Sequence, residues 1–170
     1  MAFQRIFVAL AHSHLTSEVF EQALAIAKSS NVDPENPVRM MLFHCIPVEN
    51  QLLTPYPSVY GEEMISFAQV MRQQMETQSQ QTIEWLTSYE RTATEAGLMV
   101  EWDWKMGDPG SHIRELSRHW QADLIVLGRR GLKGVAEVFL GSVSNYIIHH
   151  AHCSVLIVQH PDQPPSVNKT

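Results

Sequence analysis

Four short runs of apolar residues constrain the fold of this chain more than any other feature of its sequence. They cover residues 6–10, 38–46, 124–127 and 154–158. The first and third runs are uninterrupted, whereas Arg39 and His44 fall within the second and Ser154 begins the fourth. Near-continuous apolar runs of this length are typical of strands in a parallel sheet that is covered on both faces. Because a parallel connection needs a crossover of a dozen or more residues, the intervening segments should contain helices.

The intervening segments do carry apolar residues at helical spacing. A first helix is predicted after Leu10, with Thr16 or Ser17 as its N-cap. A long helix is predicted over residues 62–96, ended by Gly97, and shorter helices are predicted over 112–120 and from Gly141 onwards. Residues 47–61 show no clear period and are interpreted as a surface loop or lid.

The long helix carries a stripe rich in methionine, made by Met64, Phe67, Ala68, Met71 and Met75. Such a stripe can pack in a hydrophobic core or form a soft surface for a partner. Core packing is the prediction, since apolar residues at helical spacing usually face the core.

A fifth strand is predicted over residues 100–105, where apolar and charged residues alternate as they do at a sheet edge. Strands and helices then alternate throughout, which predicts one doubly wound α/β domain over residues 1–160. Residues 161–170 hold three prolines and no core residues, and are predicted to be a flexible tail.

Composition excludes several classes of protein. The 170 residues carry a formal net charge of −6, which argues against binding to nucleic acid or to anionic membranes. No apolar run reaches the roughly 18–20 residues that a membrane span needs. The chain enters its first strand at once, without a signal-peptide pattern, and Cys45 and Cys153 form no CxxC pair. A cytoplasmic location is therefore expected.

The strongest candidate for a site is a glycine-rich segment that follows the strand at 124–127. Four of the eight glycines fall within fourteen residues, namely Gly128, Gly131, Gly134 and Gly141. Glycine lets backbone N–H groups approach a phosphate, and a helix that begins at Gly141-Ser142 directs its positive end at that anion. The hydroxyls of Ser142 and Ser144 add donors. Alternatively, the glycines only serve turns and Ser142 is only an N-cap.

Other motifs are absent or weak. The chain has no Walker A sequence, no GxGxxG after its first strand and no GxSxG elbow. Histidine is frequent, and residues 149–153 hold the densest cluster. Neighbouring residues on a helix point apart, so no metal site is predicted there, and these histidines are expected to mark a helix end.

The spacing Gly128-x2-Gly131-x9-Gly141-Ser142 resembles the nucleotide-binding signature of the universal stress protein family. The resemblance extends over roughly residues 3–160 and includes residues 42–46, Gly107-Asp108-Pro109 and residues 122–128. It implies a five-stranded parallel sheet of order 3-2-1-4-5 and a homodimer. The last strand, 154–158, is the edge through which two copies are expected to pair.

The resemblance also implies ATP or AMP as ligand, with Mg²⁺ as a companion ion. Phosphates would lie on the backbone of Gly131, Gly141, Ser142, Val143 and Ser144. Adenine would lie near Cys45 and Leu127-Gly128. Arg129 or Arg130 would screen phosphate charge or would simply be a solvated loop residue.

One position departs from the pattern of the ATP-binding members, which have an aspartate at the end of the first strand to hold the ribose. This chain has Ala11 there, followed by His12 and Ser13. The ribose anchor is therefore missing, or a histidine or water replaces it. Three hypotheses stay open: a nucleotide-binding regulatory protein, a slow ATP hydrolase on the same site, and a dimeric interaction module without nucleotide.

Overall fold

The computed structural model describes residues 2–48, 62–129 and 140–159. In chain order the elements are β1 (Arg5–Leu10), α1 (Thr16–Ser30), β2 (Arg39–Pro47), α2 (Glu62–Glu95), β3 (Met99–Gly107), α3 (Pro109–His119), β4 (Leu124–Gly128), α4 (Ser142–His150) and β5 (Ser154–Val158). The strands form one parallel sheet in the order β3-β2-β1-β4-β5. The predicted α/β fold and strand order are confirmed, and β3 and β5 are the edges.

Side chains of β1 alternate between the two faces of the sheet and enter two separate cores. Ile6, Val8 and Leu10 pack with residues of α1 and α2. Phe7 packs on the other face with residues of α3 and α4, among them Ile147. Since both faces are covered, most residues in the apolar runs of the central strands are buried, as the sequence predicted, and Ala9 and Met41 are partly buried.

Two helix starts differ from the prediction. Neither Thr16 nor Ser17 caps α1: the N-cap is Leu15, which makes no side-chain capping bond. The hydroxyl of Thr16 is used instead by the carbonyl groups of the preceding loop. Helix α3 begins at Pro109 rather than at residue 112, because the carboxylate of Asp108 accepts the N–H of Ser111 at 2.9 Å and caps the helix earlier.

The prediction that the methionine stripe packs in the core is wrong. Only the second half of α2 rests on the sheet, with Leu86 and Ala93 fully buried, whereas Phe67 is 52% exposed and Met75 is 44% exposed. The reason is length. A helix of 34 residues is about 50 Å long, while the nine-residue strands beneath it extend about 30 Å.

Two predicted features, the tail at 161–170 and most of the 47–61 loop, lie outside the described residues. Within the part of the chain that the structure describes, no helix combines the length and the apolarity that a membrane span requires.

Candidate functional site

The order of the sheet reverses at β1, which pairs with β2 on one side and with β4 on the other. In sheets of this type ligands bind at the carboxyl ends of the strands beside such a reversal. The candidate site is therefore the crevice between the end of β1, at Ala11, and the end of β4, at Gly128. We call it the β1/β4 crevice.

The β1 side of the crevice is formed by a short loop that Thr16 holds closed. Its hydroxyl bonds to the carbonyl oxygens of Ala11 and Ser13, and its oxygen accepts the N–H of Ser13 at 3.2 Å. Ala11 itself is exposed. The position where the family pattern places a carboxylate is thus open to solvent, with a methyl group in its place.

The β4 side is formed by the start of α4. Gly141 is the N-cap and makes no side-chain capping bond, and its carbonyl accepts the N–H of Asn145 at 2.9 Å. The N–H groups of Ser142, Val143 and Ser144 belong to the first turn, where a helix supplies no carbonyl partners of its own. Together with the positive end of the helix dipole, they make this helix start suitable for an anion.

Ser144 fixes that helix start against the sheet. Its side chain is 2% exposed, and its hydroxyl donates to the carbonyl oxygen of Gly128 at 3.0 Å. In this arrangement the proton of the hydroxyl is directed at Gly128, so the part of Ser144 that faces a phosphate in the predicted site is its backbone N–H. Ser142 is exposed, so its hydroxyl and the N–H groups of the first turn remain the candidate donors.

Gly128 has a packing role that its position in the glycine motif did not reveal. A Cβ at this residue would lie 3.1 Å from Val19 Cγ2 and 3.6 Å from Leu15 Cβ. Such a contact is tighter than an ordinary van der Waals contact, so the absence of a side chain lets α1 approach β4. Gly131 and Arg130, the other predicted residues of this loop, lie outside the described residues.

Cys45, Leu127 and Val143 are brought together in the core beneath α3 and α4. Cys45 is 8% exposed and Leu127 is 3% exposed. The Sγ atom of Cys45 lies 3.6 Å from the carbonyl oxygen of Gly107. Burial, with a smaller contribution from Asp108, raises the pKa of the Cys45 thiol to about 11. The thiol is therefore neutral at physiological pH and offers an apolar wall rather than a nucleophile.

Arg129 is directed toward β5. Its backbone N–H donates to the carbonyl of Val158 at 2.9 Å, and its Nη1 donates to Oε1 of Gln159 at 3.0 Å. Its Nε is buried and has no hydrogen-bond partner among the described residues. Arg129 is thus a half-buried residue anchored at the end of β5 rather than a freely solvated loop arginine.

Sequence reasoning missed a cluster of rings at the ends of β1 and β2. The exposed His12 lies 4.1 Å from Trp85 and 4.8 Å from His44, measured between ring centroids. The buried His44 donates from Nδ1 to the carbonyl of Leu10 at 2.9 Å. Burial, and to a lesser degree His12, lower the pKa of His44, although the bond to Leu10 opposes this. No sequence signal indicates these contacts, since Trp85 is distant in the chain.

The histidine-rich end of α4 forms no metal-binding group. His149 and His150 occupy the last turn, and Nδ1 of His150 donates to the carbonyl of Tyr146 at 2.8 Å. Among residues 2–48, 62–129 and 140–159, no three His, Cys, Asp or Glu side chains lie close enough together to hold a metal ion. Cys45 and Cys153 are both free.

Comparison with known proteins supports the resemblance. The family model described as the universal stress protein family matches residues 2–159. Universal stress protein Sll1388 from Synechocystis sp. is 50% identical over 160 residues, which cover 94% of this chain and all of that protein.

Solved structures show the same fold at lower identity. Universal stress protein UspA from Lactobacillus plantarum is 17% identical, with a TM-score of 0.71 over 94% of this chain and 99% of that one. A universal stress protein family protein from Arabidopsis thaliana, solved with AMP bound, is 21% identical, with a TM-score of 0.58 over 96% and 97% of the two chains. Two further universal stress proteins that match were solved in complex with cAMP and with dAMP.

Proposed function

The chain belongs to the universal stress protein family, and from this premise we propose that it is a regulatory protein of the stress response that binds ATP or AMP in the β1/β4 crevice. The observation that carries the proposal is the start of α4. It lacks a side-chain cap, and the bond from Ser144 to Gly128 holds it over the end of β4. An adenine nucleotide is favoured because proteins of this fold have been solved with AMP, cAMP and dAMP.

In this proposal the phosphates bind the N–H groups of Ser142, Val143 and Ser144, next to Gly141. The helix start supplies hydrogen-bond donors and positive potential without a charged side chain. Gly131, Arg130 and Arg129 are proposed to complete the phosphate side. Mg²⁺ is proposed to accompany ATP through the phosphate oxygens, since hard cations prefer oxygen ligands.

Adenine is proposed to lie near Cys45 and the Leu127-Gly128 end of β4. The neutral thiol of Cys45 and the apolar side chain of Leu127 suit the face of a nucleobase better than a charged group would. The ribose then lies toward Ala11, where no carboxylate is available to bind its hydroxyl groups.

We propose that two copies pair through β5. This strand is an edge of the sheet, and its residues Val155, Leu156 and Ile157 are only partly buried within one chain. An apolar edge strand is a template for pairing with another strand, and a second copy would cover it. A cytoplasmic location stays a prediction from the sequence.

Calorimetric titration of Gly141→Val with AMP and with ATP tests the nucleotide site. Gly141 has φ −60 and ψ 157, a conformation that valine also adopts, so the fold should persist. The added side chain would crowd the space in front of the first turn of α4. We expect at least a tenfold loss of affinity for both nucleotides.

Ala151→Val is the matched control. Ala151 has φ −66 and ψ 147 at the opposite end of the same helix, so the same side chain enters a similar backbone conformation away from the crevice. The control should bind both nucleotides as the wild type does. Unchanged affinity in a folded Gly141→Val variant would show that the phosphates lie elsewhere.

A further inference from the structure

The first half of α2, residues 65–81, presents apolar side chains to solvent. Ile65 is 61% exposed, Phe67 52%, Val70 58% and Met75 44%, while Met71 is half-buried. Isolated apolar residues are common on protein surfaces, but several of them along one helix indicate a surface that another molecule covers.

Part of this surface continues the face by which α2 packs on its own sheet. Thr82 and Leu86 are buried against the sheet. Steps of three or four residues toward the N-terminus from Thr82 lead to Ser79, Met75, Met71 and then Ala68 and Phe67. We call Phe67, Ala68, Met71 and Met75 the overhanging stripe. It has the pattern of a helix–helix interface, whereas Ile65 and Val70 lie outside it.

The charge of this segment favours a copy of itself. The chain has a formal net charge of −6, so most pairs of its surfaces repel each other. Residues 65–81 contain only Arg72 and Glu76 as charged residues, and these two contact each other at 3.8 Å on the solvated surface. The remaining polar positions are mostly glutamine. This part of the chain can therefore approach its own copy without net repulsion.

We propose that residues 65–81 of two copies pair as antiparallel helices through the overhanging stripe. With the two-fold axis near Gln73, Met71 lies opposite the partner's Met75. Arg72 and Glu76 lie one turn apart on the same flank of the stripe. In an antiparallel pair, each flank of one helix faces the same flank of the partner helix. Each Arg72 then comes within reach of the partner's Glu76. A parallel pair would instead set this flank against the partner's other flank, which carries no charge within residues 65–81.

This interface is separate from the one proposed at β5. Helix α2 packs against β2 and β3, whereas β5 is the opposite edge of the sheet. Both interfaces can form at once, and two isologous interfaces related by perpendicular axes close into a tetramer. In a dimer through α2 alone, and in a tetramer closed in this way, loss of the α2 pairing halves the mass of the assembly.

Sedimentation velocity on the full chain at micromolar concentration tests the proposal. The variant Met71→Lys/Met75→Lys places two charges in the stripe. The control Gln69→Lys/Gln73→Lys adds the same charge at exposed positions on the opposite side of the helix. We expect the stripe variant to have half the mass of the wild type and the control to keep the full mass. Far-UV circular dichroism should show the same helix content in all three proteins.

A charge exchange tests the antiparallel arrangement. Arg72→Glu alone should raise the dissociation constant of the assembly about three- to tenfold, since in each copy it places a carboxylate opposite the partner's Glu76. Adding Glu76→Arg restores the opposite charges and should restore the wild-type affinity. Equal masses for the wild type and the stripe variant would overturn the proposal and leave the stripe as a surface for a different protein. Failure of the double exchange to restore affinity would overturn the antiparallel pairing.

Discussion

Replacing Ser144 with alanine should destabilise the fold, because it removes the bond that holds the start of α4 on the end of β4. The hydroxyl donates to the carbonyl oxygen of Gly128 at 3.0 Å, in a place where Ser144 is 2% exposed. The bond is part-buried, so water can replace the lost donor only in part. Loss of a buried hydrogen-bond partner costs about 1–3 kcal/mol, so we expect the free energy of unfolding to fall by that amount.

Thermal unfolding followed by circular dichroism measures the effect. For a chain of this size, 1 kcal/mol corresponds to a change of about 2–4 °C in Tm, so Ser144→Ala should unfold about 2–12 °C below the wild type. Ser142→Ala is the matched control. It makes the same chemical change two residues earlier, at an exposed position, and should change the free energy of unfolding by less than about 0.5 kcal/mol.

Two results would refute this reasoning. If both alanine variants unfold at the same temperature, the bond from Ser144 to Gly128 contributes nothing to stability. If Ser144→Ala loses as much affinity for AMP as Gly141→Val does while its Tm is unchanged, the hydroxyl binds the ligand rather than the sheet. Because the variant keeps its backbone N–H, we expect only a small change in affinity.

Three further predictions concern other parts of the sheet's carboxyl edge. Ala11→Asp supplies a carboxylate for the ribose, and a net gain of about 1–2 kcal/mol should tighten AMP binding about five- to thirtyfold in calorimetry. No gain would mean that His12, Ser13 or a water already binds the ribose, or that the ligand does not lie across β1. Gly107→Ala should lower the free energy of unfolding by about 1–3 kcal/mol in urea denaturation, because Gly107 has φ +133 and a Cβ there would lie 2.9 Å from His112 Nε2. Gly97→Ala is the control: Gly97 has φ +83 but its Cβ would enter open space, so the free energy of unfolding should fall by less. Burial lowers the pKa of His44 below 6.5, so the stability that its neutral form contributes is present above pH 6.5 and is lost as the pH falls below that value. In urea denaturation between pH 7 and pH 5, the free energy of unfolding should depend less on pH for His44→Asn than for the wild type.

The strands could be predicted because their signal is local. A strand covered on both faces is apolar at nearly every position, so residues 6–10 and 124–127 can be recognised as strands without knowledge of their neighbours. The sequence then requires crossovers, and their right-handed geometry leaves few topologies. The start of α4 at Gly141-Ser142 is local in the same sense, since it needs only a glycine and a following helical segment.

The features that were predicted wrongly depend on partners elsewhere in the chain. The stripe on α2 has the period of a core helix, but only the length of the sheet decides which half of the helix is covered. Thr16 has the residue type of an N-cap, yet the loop carbonyl of Ala11 takes its hydroxyl. The bond from the Ser144 hydroxyl was missed for the same reason, since its partner Gly128 lies sixteen residues earlier.

The hydroxyl groups of Thr16 and Ser144 make this edge of the sheet more suitable for the proposed phosphate. The carboxyl ends of parallel strands present carbonyl oxygens, whose partial negative charge opposes a phosphate. At the end of β1 the carbonyl of Ala11 receives the hydroxyl of Thr16, and at the end of β4 the carbonyl of Gly128 receives the hydroxyl of Ser144. With these two carbonyls engaged, less negative charge opposes the N–H groups at the start of α4. In the proposed site the two hydroxyls would thus favour the phosphate by removing repulsion rather than by contacting it.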